Sequence, residues 1–227
     1  MTSVEMHIGF RVKFNQVNAN KNKAFLSQEI DLFLNDQMDK FVELRTDREG
    51  NYKNEGFEES QRRLDEIRTV IKENSTNAAL TPPGTLVLSS FDKGKKITLP
   101  VDYKKLVFDG CDTDAPCNFK YSYVQNRLTS NQLIGHVLHD KYHTSHPDSP
   151  VSQIVNSELR VYENNFTVTH IYITYVYDYP RIVYNVQDCV LPKDTHREIV
   201  DMAVSKVNAI LRTGNYEAYV NEISKNE

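Results

Sequence analysis

Residues Thr195 to Arg212 read THREIVDMAVSKVNAILR, and this stretch decides how the rest of the chain is expected to fold. Ile199, Val200, Ala203, Val204, Val207, Ile210 and Leu211 recur at the spacing of one helical face. Thr195 and Glu198 stand at the two positions of a capping box, where each side chain satisfies a free amide at the helix start. Pro192 precedes the helix, where no amide is needed, and Gly214 stands where helices commonly end. So marked an apolar face has to be buried. The best partners by pattern lie in the first 75 residues. The expected fold is therefore α+β: a helical bundle from both chain ends, with an antiparallel β-rich domain inserted between them.

The N-terminal region supplies the partner helices. Residues 3–18 carry two signals at once. Met6, Ile8, Phe10, Val12 and Phe14 alternate like a strand, while Met6, Phe10, Phe14 and Val17 fit a helical stripe that Ser3 can cap. Helix is preferred, because a helical partner follows. Ser27 to Arg45 is a helix with the stripe Ile30, Phe33, Leu34, Met38, Phe41 and Val42, an N-cap at Ser27 and Glu29 in the first turn. Thr46 to Gly56 reads as a polar loop. Glu58 to Glu73 reads as a third helix with the thin stripe Leu64, Ile67 and Ile71.

Pro82-Pro83-Gly84 marks a boundary, and beyond it the period changes to two. Thr85 to Ser89 and Lys96 to Leu99 are expected strands around the turn Asp92-Lys93-Gly94. Lys105 to Asp109 and Phe119 to Gln125 are two more, separated by a loop from Gly110 to Asn118. Ser130 to Asp140 fits a short helix, and Lys141 to Pro150 a proline-bearing loop. Ser157 to Tyr162 and Phe166 to Tyr177 are read as a hairpin around Glu163-Asn164-Asn165. The second strand divides into Val168, His170, Tyr172, Thr174, Val176 on one face and Thr167, Thr169, Ile171, Ile173, Tyr175 on the other. Both are partly apolar, so both are expected to be covered. Arg181 to Tyr184 is a last strand. The resulting division is residues 1–80 helical, 81–191 β-rich, 192–214 the closing helix and 215–227 a tail.

Bulk properties narrow the function. A chain of 227 residues with 39% hydrophobic residues can bury a core. The net charge of −4 argues against a dedicated nucleic-acid binder. No apolar run approaches the length of a membrane span, and MTSVEMHIGF lacks the form of a signal peptide. The three cysteines are read as reduced thiols in a cytoplasmic setting. The 13 tyrosines suit strands and interfaces, since each combines an apolar body with a polar tip. Tyr172 and Tyr175, with Tyr216, Tyr219, Val220 and Ile223 at helical spacing in the tail, are the candidate protein-interface residues.

Chemistry-bearing motifs are sparse. His136, His139, His143 and His146 lie close in sequence near Asp140 and Asp148, and the spacing of His139 and His143 on a helix would aim both at one metal ion. Pro147 ends any helix before His146, and no zinc-protease glutamate or cysteine pair completes the set. Cys111 and Cys117 are spaced more widely than a CxxC pair. No phosphate-binding glycine loop and no nucleophile elbow occurs. Asp112 and Asp114 sit in the expected loop with no evident partner. The expectation is no catalytic residues, no metal and no cofactor.

Three groups of motifs resemble the head-to-tail connector proteins, neck or ring type, of tailed bacteriophages, most closely those of crAss-like phages. The first is VEMHIGFRVKFNQVNAN with FLSQEIDLFLNDQMDKFVELR and NEGFEESQRRLDEIR, similar to that family's opening helices. The second is SPVSQIVNSELRVY with VTHIYITYVYDYPRIVY, similar to its β part. The third is LPKDTHREIVDMAVSKV, similar to its closing helix. Residues 100–150 lie outside the resemblance, and Gly9 with its strand-like surroundings departs from the family's first helix.

The resemblance implies a non-enzymatic virion protein, one subunit of a closed ring, often twelve-fold, that joins head to tail. Its implied partners are further copies of itself, the portal protein and neighbouring neck or tail proteins, with viral DNA only passing through the lumen and no membrane contact. Its implied place is the portal–tail region of the virion, with the host cytoplasm during assembly. A negatively charged subunit suits a conduit that must not hold DNA. A tail-completion or tail-fibre-adaptor protein is the alternative of the same class. A metal-dependent hydrolase using His136 to His146 is the alternative of another.

Overall fold

The computed structural model describes residues 1–17, 25–46, 64–73, 84–87, 93–115 and 120–212. The chain is α+β and divides into two compact units. One joins Met1–Val70 with Tyr179–Glu227, and the other is the continuous segment Ile71–Asp178. The division therefore falls before Ile71 and after Asp178, not after residues 80 and 191. The reason is local: Ile71–Glu73 is a strand of the second unit, where the apolar spacing of Leu64, Ile67 and Ile71 suggests a continuing helix. Helical residues 64–67 give way to a turn at 68–70, and Ile71 pairs with Val176.

In the first unit, α1 (Ser3–Val17) and α2 (Ser27–Thr46) both pack on α4 (His196–Arg212). The double signal of residues 3–17 resolves as helix. Met6, Phe10 and Phe14 are buried on one side, while Ile8 and Val12, the other members of the alternating set, are exposed. Phe10, Phe14, Phe25 and Phe33 join edge to face, with Phe25 at the centre. The α2 stripe is buried as Ile30, Phe33, Leu34, Gln37, Met38, Phe41 and Val42. On α4, Ile199, Val200, Ala203, Val204 and Val207 are buried. Fully burying one such side chain is worth roughly 1.5–3 kcal/mol, so these three stripes dominate the unit's stability.

The helix caps differ from those expected. At α1, Thr2 and Glu5 form the reciprocal capping box, with Thr2 N–H donating to Glu5 Oε2 and Glu5 N–H to Thr2 Oγ1, while Ser3 N–H donates to Asp188. At α2, Glu29 Oε2 accepts the Leu26 amide, so Ser27 lies inside the helix. At α4 there is no capping box. The Thr195 amide and hydroxyl both donate to the Pro192 carbonyl, and Glu198 accepts from Arg45 instead. Gly214 lies outside the described residues, as do the tail and most of the loop expected at 46–56.

Residues 179–191 lie along α2 as a strap. Tyr179 hydroxyl donates to Asp39 at 2.6 Å, and Asn35 bonds both the amide and the carbonyl of Ile182. The strand expected at Arg181 to Tyr184 is instead a turn closed by the bridge between Val183 and Gln187. The side chain of Asn35 occupies the backbone groups of Ile182 that a ladder would need.

The second unit is two sheets face to face. The first has the order β1 (Ile71–Glu73), β9 (Thr167–Tyr177), β4 (Tyr103–Asp114), β5 (Lys120–Gln125). The second has the order β2 (Gly84–Val87), β3 (Lys93–Thr98), β8 (Glu158–Glu163), β7 (Val151–Val155), β6 (Arg127–Leu128). All pairings are antiparallel except β6 with β7. Leu99, Leu159 and Val161 meet Cys111, Val168, Ile171, Ile173 and Tyr175 in one shared core. A short helix, α3 (Ile134–His139), packs Ile134, Val137 and Leu138 against Val151 and Tyr162.

Several strand expectations change here. β8 and β9 are not a hairpin: they belong to different sheets, so the chain at Glu163 to Phe166 crosses from one layer to the other. The true hairpin partner of β8 is β7, in a stretch with no expected strand, through a two-residue turn at Asn156-Ser157 with Asn156 at φ 54. Lys93 and Gly94, expected in a turn, begin β3. Gly94 lies against the Val161 carbonyl, which a Cβ would approach to 2.4 Å. β4 runs on to Asp114 through the expected loop. On β9 the strict alternation breaks. Asp112 pairs with His170 but Thr113 with Val168, leaving Thr169 as an extra residue. Val168 therefore joins Ile171, Ile173 and Tyr175 in the core. Among the described residues, no helix is long and apolar enough to cross a membrane.

Candidate functional site

The outer face of the β1-β9-β4-β5 sheet carries a cluster of aromatic rings around one carboxylate. The pairing register puts it there. Gly110 sits opposite Tyr172, Phe108 opposite Thr174, and Asp112 opposite His170, all on the side away from the sandwich core. On the other side of β4, the register slips between Cys111 and Thr113, and Tyr123 of β5 lies in this bulge.

Asp112 organises the cluster. Its Oδ1 accepts the Tyr123 amide at 2.8 Å, and its Oδ2 accepts the Tyr172 hydroxyl at 2.6 Å. His170 Nδ1 stands 3.1 Å from the same Oδ2. The Asp112 side chain is 18% exposed. The Tyr172 hydroxyl donates a hydrogen bond to this carboxylate, which favours the neutral phenol, and with burial adding to the effect its pKa is pushed up to about 12.

Phe108 and Tyr172 are half-buried, and Tyr123 stands in solvent. Tyr123 is 58% exposed, although its backbone sits at φ 59, a conformation that bulky residues rarely adopt. Its ring stacks on Phe108, with centroids 5.3 Å apart and planes 19° from parallel. Tyr172 lies 5.1 Å from Tyr123 on a tilted plane. Gly110 makes room beneath: a Cβ there would come within 2.9 Å of both the Phe108 ring and the Val124 carbonyl. Strained backbone of this kind persists where neighbours over-determine it. Here the Asp112 carboxylate does so.

Of the other expected interface residues, Tyr175 is placed differently. Tyr175 is 6% exposed, its ring lies in the sandwich core, and its hydroxyl donates to Asp102. Burial raises its pKa, with the Asp102 bond adding to the effect. It faces inward because it alternates with Ile171 and Ile173 on the core side of β9, opposite Leu106 of β4. Tyr216, Tyr219, Val220 and Ile223 lie outside the described residues.

The histidines do not converge. His139 Nδ1 lies 2.7 Å from the Gly135 carbonyl, His143 Nδ1 2.6 Å from Asp140, and His146 Nδ1 2.7 Å from Asp148. Each is tied to a partner in its own turn, and all are exposed, as is His136. Among the described residues, no three His, Cys, Asp or Glu side chains are grouped to hold a metal ion. Cys111 is a buried free thiol whose hydrogen points at Asn126 Oδ1, and burial pushes its pKa up to about 12, the inert end of thiol behaviour. Cys117 lies outside the described residues.

Phe108, Tyr123 and the role of Asp112 escaped the sequence reading. The signal available was the period-two pattern of Phe108, Gly110, Asp112 and Asp114, masked because glycine and two acids in a row look like a turn. The chain matches no protein-family model, and no curated protein matches it.

Proposed function

We propose that this protein is a structural subunit of a phage virion, one member of an oligomeric ring in the portal–neck–tail connector through which DNA passes. Three of its motif groups resemble such connectors in order and spacing. In this reading, α1 and α2 with α4 form a helical bundle from both chain ends, and the sandwich is the inserted domain that meets neighbouring proteins.

The structural observation that carries the reading is the ring cluster of Phe108, Tyr123 and Tyr172. A protein that works by docking keeps aromatic surface exposed in a fixed arrangement, because tyrosines bury large area at low entropic cost when a partner arrives. The polar anchors at Asp112 serve that fixing.

Native mass spectrometry of the purified protein, alone and mixed with the portal ring of the same phage, tests the reading. A closed oligomer, or a portal complex with a fixed multiple of this chain, is the expected result. A monomer that binds neither itself, the portal nor any other neck or tail protein of that phage overturns it.

A further inference from the structure

We propose that the outer face of the β1-β9-β4-β5 sheet, at Phe108, Tyr123 and Tyr172, is a docking site for an arginine side chain presented by a partner protein. This stands on the face itself and needs no ring.

Geometry and charge both point to a cation. The three rings offer π faces, whose quadrupole attracts a positive group and, best of all, a flat guanidinium that can also stack. The carboxylate of Asp112 lies in the middle, taking the Tyr123 amide on one oxygen and the Tyr172 hydroxyl on the other, with His170 Nδ1 3.1 Å from the second. The neighbouring register rows add to this. Glu73 lies opposite Thr174, Lys105 opposite Val176, and Asp114 opposite Lys120, so the formal charges flanking the rings are Glu73, Asp112 and Asp114 against Lys105 and Lys120. Lys120 stands 3.9 Å from Asp114, a pairing that offsets those two. Three carboxylates against two lysines leave the face net negative by one formal charge, and the carboxylate nearest the rings is Asp112.

Other occupants fit less well. Single-stranded nucleic acid also stacks on aromatic rings, but it needs cations along its phosphates, and here the charges are of the wrong sign. A second copy brings a formal net charge of −4 to an acidic face.

The test is an NMR titration of the full chain, following the ring resonances of Tyr123 and Tyr172. The probe is N-acetyl-arginine amide, with N-acetyl-glutamate amide, adenosine monophosphate and glucose as comparisons. Saturable shifts confined to these rings are expected with arginine amide alone, with a midpoint on the order of 10 mM for so small a probe. Asp112→Asn is expected to weaken the midpoint severalfold. Tyr123→Gly, whose backbone suits the positive φ, is expected to abolish the response at Tyr172 while amide spectra remain dispersed. The proposal is overturned if the rings ignore arginine amide, if the nucleotide or the sugar moves them at lower concentration, or if both variants respond like the parent. Ring shifts that depend on protein concentration without any probe would give the face to a second copy, and would overturn it too.

Discussion

The amide of Tyr123 donates to Asp112 Oδ1 at 2.8 Å across a bulge between β4 and β5, and this one bond fixes an exposed tyrosine at φ 59. The same carboxylate takes the Tyr172 hydroxyl on its other oxygen. One side chain thus sets the positions of two rings on different strands.

The Tyr172 phenol is expected to titrate late. Its hydrogen bond to the ionised Asp112 favours the protonated form and lifts its pKa from 10.0 to about 12. In Asp112→Asn the acceptor loses its charge, and one tyrosine should move back toward the ordinary range. A tyrosinate absorbance titration of parent and variant, with NMR to assign the residue, reads the change. An identical profile in both would show that Asp112 does not hold this hydroxyl.

Position 123 separates backbone strain from side-chain packing. Glycine takes a positive φ freely, whereas alanine does not. Tyr123→Gly is therefore expected to be about 1 kcal/mol more stable than Tyr123→Ala in denaturant unfolding, despite glycine's freer unfolded chain. Equal stabilities, or the reverse order, would mean that the left-handed conformation is not kept in solution.

Gly110 is expected to resist any side chain. A Cβ would sit 2.9 Å from the Val124 carbonyl, which is backbone and cannot swing away. Gly110→Ala should cost roughly 1–3 kcal/mol, as overpacked sites do, and should shift the Phe108 ring. Thermal unfolding measures the first, and the ring-current shift at Tyr123 the second.

His196 makes stability depend on pH. Its ring is 2% exposed, with Nε2 2.7 Å from the Leu191 carbonyl and Nδ1 3.0 Å from the Met1 carbonyl. Burial holds its pKa below the ordinary 6.5. The unfolded chain then binds the proton more readily than the folded one. This stability is fully present above pH 6.5 and is lost as the pH falls through the lower folded-state value. Denaturant midpoints between about pH 7.5 and 5.5 should fall more for the parent than for His196→Gln. Parallel curves would remove His196 from the account.

The helices were legible because their signal is local. The stripes Met6–Phe10–Phe14, Ile30 to Val42 and Ile199 to Val207 repeat with the helical period, and each is buried as its spacing implies. Even so, a cap needs only a competing partner nearby to change. Glu198 bonds Arg45 of α2 and Thr195 turns back to Pro192, two choices that no pattern within the helix reveals.

Sequence alone determined that helices would form at Ser3–Val17, Ser27–Thr46 and His196–Arg212, that the middle would be β-rich, and that Tyr172 would lie in a strand. Tertiary structure alone decided which strands pair. β8 and β9 are neighbours in sequence with a turn-forming asparagine pair between them, yet they lie in opposite sheets, because β8 pairs with β3 and β7, and β9 with β4 and β1. It also decided which residues meet at the ring cluster. Phe108, Asp112, Tyr123 and Tyr172 come from three strands, and two register slips bring them together. A slip of one residue turns every later side chain to the other face of a sheet, and it is fixed by contacts between strands far apart in the chain.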